Sequence, residues 1–198
     1  WDTAETEYDA RFLYAHLLPR REQFSDEFWT YFENWRREEE LHYLGFKHLY
    51  GAIFNYDAEK FEQKMLARKP DFTDLDSLLC DEFSVSTVIA FDELVTTKVY
   101  KLEYALYDRL GSRPVSNFIR AVAKDEATHY RDALNIVLNR FPDRLDEVPA
   151  LLGQILAKES IQREYRSTFL LDHTDQDLYS GNLLEECAQT ICRHTSHQ

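Results

Sequence analysis

Five glycines and five prolines in 198 residues are too few to interrupt the chain often, a scarcity that suits long helices. Cysteine is scarcer still. Cys80, Cys187 and Cys192 are an odd number without a zinc-type CxxC pair, which argues against a disulfide framework and for reduced thiols in a cytoplasmic setting. Positive charge is short as well: 23 Lys and Arg against 36 Asp and Glu leave a net charge of −13, unsuited to gripping nucleic acid or an anionic membrane. No apolar run reaches membrane-spanning length, and the N-terminus has no signal-peptide core. The chain opens on Trp1 rather than Met, so further residues are expected upstream. It also lacks a solenoid-period repeat and a low-complexity linker. With 44% hydrophobic residues, the expectation is a single domain over residues 1–198 around one sizeable core.

What the chain does have is helical periodicity. Helices are expected from Thr3 to Leu18, from a Ser25 cap to Tyr50 before Gly51, and from Ala58 to Arg68. Longer patterns follow from Leu78 to Leu110 and from Val115 to Asn139. Two C-terminal stretches run from Leu145 to Phe169 and from Leu178 to Cys192. His173, His194 and His197 fall in loop or tail settings and read as surface histidines.

Two of the helices carry the same signature, an acid followed by Glu-x-x-His: Glu38-Glu39-Glu40-Leu41-His42 and Asp125-Glu126-Ala127-Thr128-His129. A step of three residues on an α-helix keeps Glu39 with His42, and Glu126 with His129, on one face about one turn apart. Each pair can offer a carboxylate oxygen and an imidazole nitrogen to one metal. The plain alternative is a surface i,i+3 pair, but an additional acid ahead of both motifs makes coincidence rare. Two such helices plus one Glu from each of two others make the ligand set of di-iron and di-manganese carboxylate bundles. On the first helix Trp1, Glu5, Tyr8, Phe12 and Ala15 share a face, and a Glu in an apolar stripe is costly unless paired or metal-bound, so Glu5 is the candidate ahead of Glu7. Glu93, on the face of Ala90, Thr97, Tyr100 and Tyr104, is the fourth helix's candidate ahead of Glu103. The set is then Glu5, Glu39, His42, Glu93, Glu126 and His129. Hard oxygens with one imidazole per metal suit two iron ions, or manganese. Glu38 and Asp125 are placed to accept the far N–H of an imidazole, from either motif.

The order of these motifs resembles the ferritin-like superfamily and, within it, the soluble acyl-acyl carrier protein desaturases. Trp35-x-x-Glu38-Glu39-x-x-His42 is similar to that family's Trp-x-x-Glu-Glu-x-x-His, Glu93-x-x-Thr96 to its Glu-x-x-Thr, and Phe141-Pro142-Asp143 to its turn after the fourth helix. Tyr100 departs from the pattern, standing where the family has a His. The resemblance implies an all-α, ferritin-like four-helix bundle with additional C-terminal helices. It implies an O2-dependent di-iron oxidase desaturating a fatty acyl thioester, supplied with electrons by a donor such as a ferredoxin. Acyl carrier protein or a small molecule would be the partner, and a homodimer is one expected assembly. Thr96 would be a catalytic hydroxyl delivering protons during O2 reduction, against the plain alternative of a bond to its own i−4 carbonyl. Tyr8, Phe12, Phe91, Val95 and Tyr100 are candidate walls of an acyl channel. Other implied readings are a di-iron N-oxygenase, a hydroxylase, an aldehyde-deformylating oxygenase, or a non-enzymatic ferritin-like iron-binding protein.

Overall fold

A computed structural model describes residues 2–161, 164–173 and 182–196, and among these all regular structure is helical. The α-helices are α1 (Asp2–Leu17), α2 (Asp26–Phe54), α3 (Ala58–Leu66), α4 (Glu82–Asp108), α5 (Arg113–Arg140), α6 (Val148–Ile161) and α7 (Leu183–Ser196). Short 3-10 turns at Leu18–Gln23 and Pro142–Glu147 follow α1 and α5. No helix of the described residues is long and apolar enough to cross a membrane.

Side-chain caps set several of the starts. Ser25 accepts from the Phe28 amide at 3.0 Å, Asp57 from Glu59 and Lys60 at the start of α3, and Asp81 from Ser84 at 2.8 Å. The Asp81 cap delays α4 to Glu82, four residues later than the periodicity predicts, and leaves Leu78 and Leu79 buried in the turn before it. At its other end α2 passes through Gly51 and closes at Asn55, whose φ of 45° is left-handed. Gly51 serves a close approach instead of a stop: a Cβ there would meet the Tyr56 ring at 3.3 Å, and the Tyr56 hydroxyl donates back to the Lys47 carbonyl at 2.8 Å. Beyond Ile161 the expected helix does not continue to Phe169. Ser167, Phe169 and Leu171 all take left-handed φ, and this irregular segment is buried. The start expected at Leu178 lies outside the described residues, as do Trp1 and His197.

The most extensive helix contacts pair α1 with α2 and α4 with α5, and the connection of residues 55–81 joins the two pairs. Two apolar cores reveal the direction of each helix. One contains Leu13, Trp35, Phe91 and Leu134; the other contains Tyr8, Phe46, Tyr100 and Val122. Passing from the first core to the second, the numbering rises on α2 and α4 and falls on α1 and α5. The bundle is therefore two antiparallel hairpins whose inner connection crosses over, so α2 and α4 run the same way. α6 and α7 pack against α4 from outside. Between the two cores lies a transverse layer of buried acids and imidazoles.

Candidate metal centre

Every helix of the four-helix bundle contributes to that layer. Glu7 comes from α1, Glu39 and His42 from α2, Glu93 from α4, and Glu126 and His129 from α5; all six are at most 4% exposed. They form two overlapping groups, Glu7–Glu39–His42–Glu126 and Glu39–Glu93–Glu126–His129, in each of which ligand atoms lie within 4.8 Å of one another. His42 Nδ1 faces Glu7 Oε2 at 3.4 Å, Glu39 Oε2 at 3.7 Å and Glu126 Oε1 at 3.2 Å. His129 Nδ1 faces Glu39 Oε1 at 3.1 Å, Glu93 Oε2 at 3.6 Å and Glu126 Oε2 at 2.7 Å. Glu39 and Glu126 thus give one oxygen to each group, while Glu7 and Glu93 each serve one group. If each group held one ion, Glu39 and Glu126 would be shared carboxylates, and Glu7 and Glu93 terminal ones.

The outer atoms are held by donors. Trp35 Nε1 donates to Glu93 Oε1 at 2.5 Å, and the Tyr100 hydroxyl donates to Glu7 Oε1. That leaves Oε2 of each terminal carboxylate turned inward. Burial and the Glu7 charge hold the Tyr100 hydroxyl well above the usual phenol range, so it stays a donor. The imidazoles are oriented across the bundle: Glu38 of α2 accepts from His129 Nε2 at 2.7 Å, and Asp125 of α5 faces His42 Nε2 at 3.5 Å. Glu38 is lowered by the hydrogen bond from His129.

Whether these residues fit a pair of metal ions is tested by the inward atoms themselves. Glu7 Oε2, Glu39 Oε1, His42 Nδ1, Glu93 Oε2 and Glu126 Oε1 are all buried without a hydrogen-bond partner. Orphaned buried polar atoms are costly, and here they converge on two points between four helices. The protonation balance tells the same story. Burial, Glu126 and Glu7 raise Glu39 far above the carboxylate range, and burial and Glu126 push Glu93 up to about 7. Burial works against the charge on His42 and His129, yet the surrounding carboxylates raise both strongly. Glu126 feels burial too, but the two imidazoles outweigh it and hold its carboxyl low. Cations bound there would neutralise the same buried carboxylates. With carboxylate oxygens, one Nδ1 per group and no thiolate, the donor set suits hard or borderline divalent metals.

Glu5 is not in this layer. It pairs with Lys64 and Arg68, and Arg68 also binds the fully buried Asp9, with Nε at 2.8 Å from Oδ1. α1 is buried on two sides, one carrying Ala4, Glu7 and Ala10 into the bundle and the other carrying Asp9 toward Arg68. A stripe drawn through Glu5, Tyr8 and Phe12 runs between them. Glu7 occupies the position expected of Glu5.

Thr96 borders a small cavity of about 20 Å³ beside the cluster, lined also by Thr6, Glu7, Glu39, Asp92, Tyr100, Glu126, Phe169 and Asp172. Its hydroxyl lies 3.4 Å from His173 Nε2. Of the expected channel walls only Tyr100 lines this cavity; Phe91 and Val95 belong to the apolar core. His173 is not a surface residue. It is 7% exposed, among Asp92, Glu159 and Asp172, none of which the motif spacing singles out. His194 is exposed and bonds the Tyr130 hydroxyl through Nδ1 at 2.8 Å, on α7 rather than in a tail. Comparison with protein-family models, curated proteins and solved structures finds no match to the chain.

Proposed function

We propose that the chain is a ferritin-like, O2-dependent di-iron oxidase, with a fatty acyl thioester as its first candidate substrate. The observation that carries the metal reading is that Glu39 and Glu126 each turn one oxygen toward His42 and the other toward His129, so that both carboxylates would be shared by two ions. Iron bound there would supply the oxidising power, and manganese would fit the same donors. The residues around the ligands do the rest. Trp35 and Tyr100 fix the terminal carboxylates, and Glu38 and Asp125 fix the imidazoles. Thr96 holds an exchangeable proton at the cavity wall.

A surface groove between α2 and α5, lined by Tyr31, Trp35, Glu38, His129 and Asp132, brings solvent to the outer side of the cluster. Electrons from an external donor such as a ferredoxin would enter here, where Glu38 bonds the far side of His129. Desaturation of an acyl chain delivered by acyl carrier protein rests on the motif resemblance, and a cytoplasmic location on the odd number of cysteines.

The cavity beside Thr96 has room for about one water molecule and is edged by Thr6, Asp92 and Asp172, so it offers no berth for a long hydrocarbon. An N-oxygenase or hydroxylase of a small polar molecule is therefore the second reading. The test is anaerobic loading with Fe2+, then addition of O2 and reductant with either a saturated acyl carrier protein thioester or a panel of small amines and acids. O2 uptake coupled to an unsaturated acyl product supports desaturation, and coupled oxidation of a small molecule supports the second reading. Binding of zinc alone, or no O2 uptake with bound iron, overturns the oxidase reading.

A further inference from the structure

One residue before Glu93, Asp92 leaves α4 about 100° further round the helix and enters a second buried polar cluster outside the six-residue layer. It meets Glu159 from α6 and Asp172 and His173 from the irregular segment of residues 164–173. His173 Nδ1 lies 3.1 Å from Asp172 Oδ1, 3.6 Å from Glu159 Oε1 and 3.8 Å from Asp92 Oδ1. Asp92 and Glu159 are each 2% exposed. Both oxygens of Asp92, both oxygens of Glu159 and Nδ1 of His173 are buried without a hydrogen-bond partner. Among the described residues, no Lys or Arg pairs with any of the three carboxylates.

One imidazolium cannot compensate three carboxylates removed from water, and a polar network left half satisfied is more costly than an apolar filling. Ligand atoms about 2.1 Å from a common ion are separated by roughly 3.0–3.4 Å in octahedral or tetrahedral arrangement. Asp92, Asp172 and His173 already place ligand atoms within 4.8 Å of one another, so small side-chain rotations reach that spacing. The other ring nitrogen of His173 is turned to the Thr96 hydroxyl at 3.4 Å, which orients Nδ1 toward the acids.

We propose that Asp92, Glu159, Asp172 and His173 form a third metal site, for one divalent first-row cation such as Mn2+ or Fe2+. Three oxygens and one imidazole nitrogen without a thiolate define that class of ion. The ion ties α4 to α6 and to the segment 164–173. That segment carries Phe169, whose ring packs edge-on against Trp35 at 4.7 Å, and Asp172, both of which line the small cavity beside Thr96. The third ion therefore fastens the wall of that cavity. The site does not depend on the oxidase reading, because it uses none of the six ligands of the larger cluster.

The test is Mn2+ titration of the chelator-stripped chain, read by the electron paramagnetic resonance of free Mn2+, by elemental analysis after desalting, and by Tm. The wild type should hold about three ions. A His42→Ala/His129→Ala variant, crippled in the larger cluster, should still hold about one and gain Tm on adding Mn2+. Asp92→Asn/His173→Gln should remove one ion from the wild type and the remaining ion from the crippled variant, weakening that site by at least 10–100-fold. Circular dichroism checks that each variant folds. If the crippled variant fails to fold, the loss of one ion from the wild type on Asp92→Asn substitution alone decides. A wild type holding two ions, with two retained after Asp92→Asn/His173→Gln, overturns the third site while leaving the larger cluster intact. Retention of one ion by the crippled variant, without coupled oxidation in the intact chain, overturns the oxidase reading and leaves the third site standing.

Discussion

Glu38 of α2 binds the outer nitrogen of His129 on α5, 2.7 Å away, and not that of His42 on its own helix. Asp125 makes the reciprocal approach to His42 at 3.5 Å. Each Glu-x-x-His motif thus carries the acid that faces the other motif's imidazole, which couples α2 to α5 through the two histidines.

That crossing sets a specific expectation. Glu38→Ala should weaken the ion held with His129, and Asp125→Ala the ion held with His42, each by roughly 10–100-fold with the helical fold retained. Metal titration of each variant combined with His42→Ala or His129→Ala identifies the affected site. Equal affinities in wild type and both single variants would reduce the two acids to surface charges.

Glu7 and Glu5 separate the two sides of α1. Glu7→Gln should lose the ion shared with His42 and keep that of His129, one ion fewer than wild type by elemental analysis. Glu5→Gln should keep wild-type metal content and lose its ion pairs to Arg68 and Lys64, at a cost of about 1–3 kcal/mol because Arg68 keeps Asp9, read as a lower Tm. Metal loss in Glu5→Gln with none in Glu7→Gln would reverse the assignment.

Thr96→Val should retain the fold and the ions of the six-ligand cluster, because the hydroxyl binds none of those ligands, while weakening the proposed third site, whose His173 Nε2 it faces. If the hydroxyl passes protons during O2 reduction, product per electron falls and hydrogen peroxide rises. Unchanged coupling in an oxygen-electrode and peroxide assay would assign Thr96 to the cavity wall alone.

Glu82 joins the ends of the two hairpins. Its carboxylate accepts from the Ser25 amide at 2.5 Å, the Ser25 hydroxyl at 3.0 Å and Arg140 Nε at 2.7 Å, with the residue 5% exposed. Glu82→Ala should cost about 1–3 kcal/mol in urea unfolding while leaving metal binding unchanged. A loss below about 0.5 kcal/mol would place these bonds among surface contacts.

The sequence by itself determined what is local. Caps, sparse Gly and Pro and apolar periodicity foretell helices near their observed places, and i,i+3 spacing alone puts Glu39 with His42 and Glu126 with His129 on shared faces. Only the tertiary structure decided what depends on distant partners. Glu7 faces the layer because Arg68, far along the chain, draws Glu5 and Asp9 to the other side of α1. His173 is buried because α4 and α6 bring Asp92 and Glu159 to meet a segment whose left-handed residues no helical pattern foretells. The crossed pairing of Glu38 and Asp125 likewise follows from how α2 and α5 lie together. Periodicity fixes which side chains share a face, but the environment of that face is set by packing between elements remote in sequence.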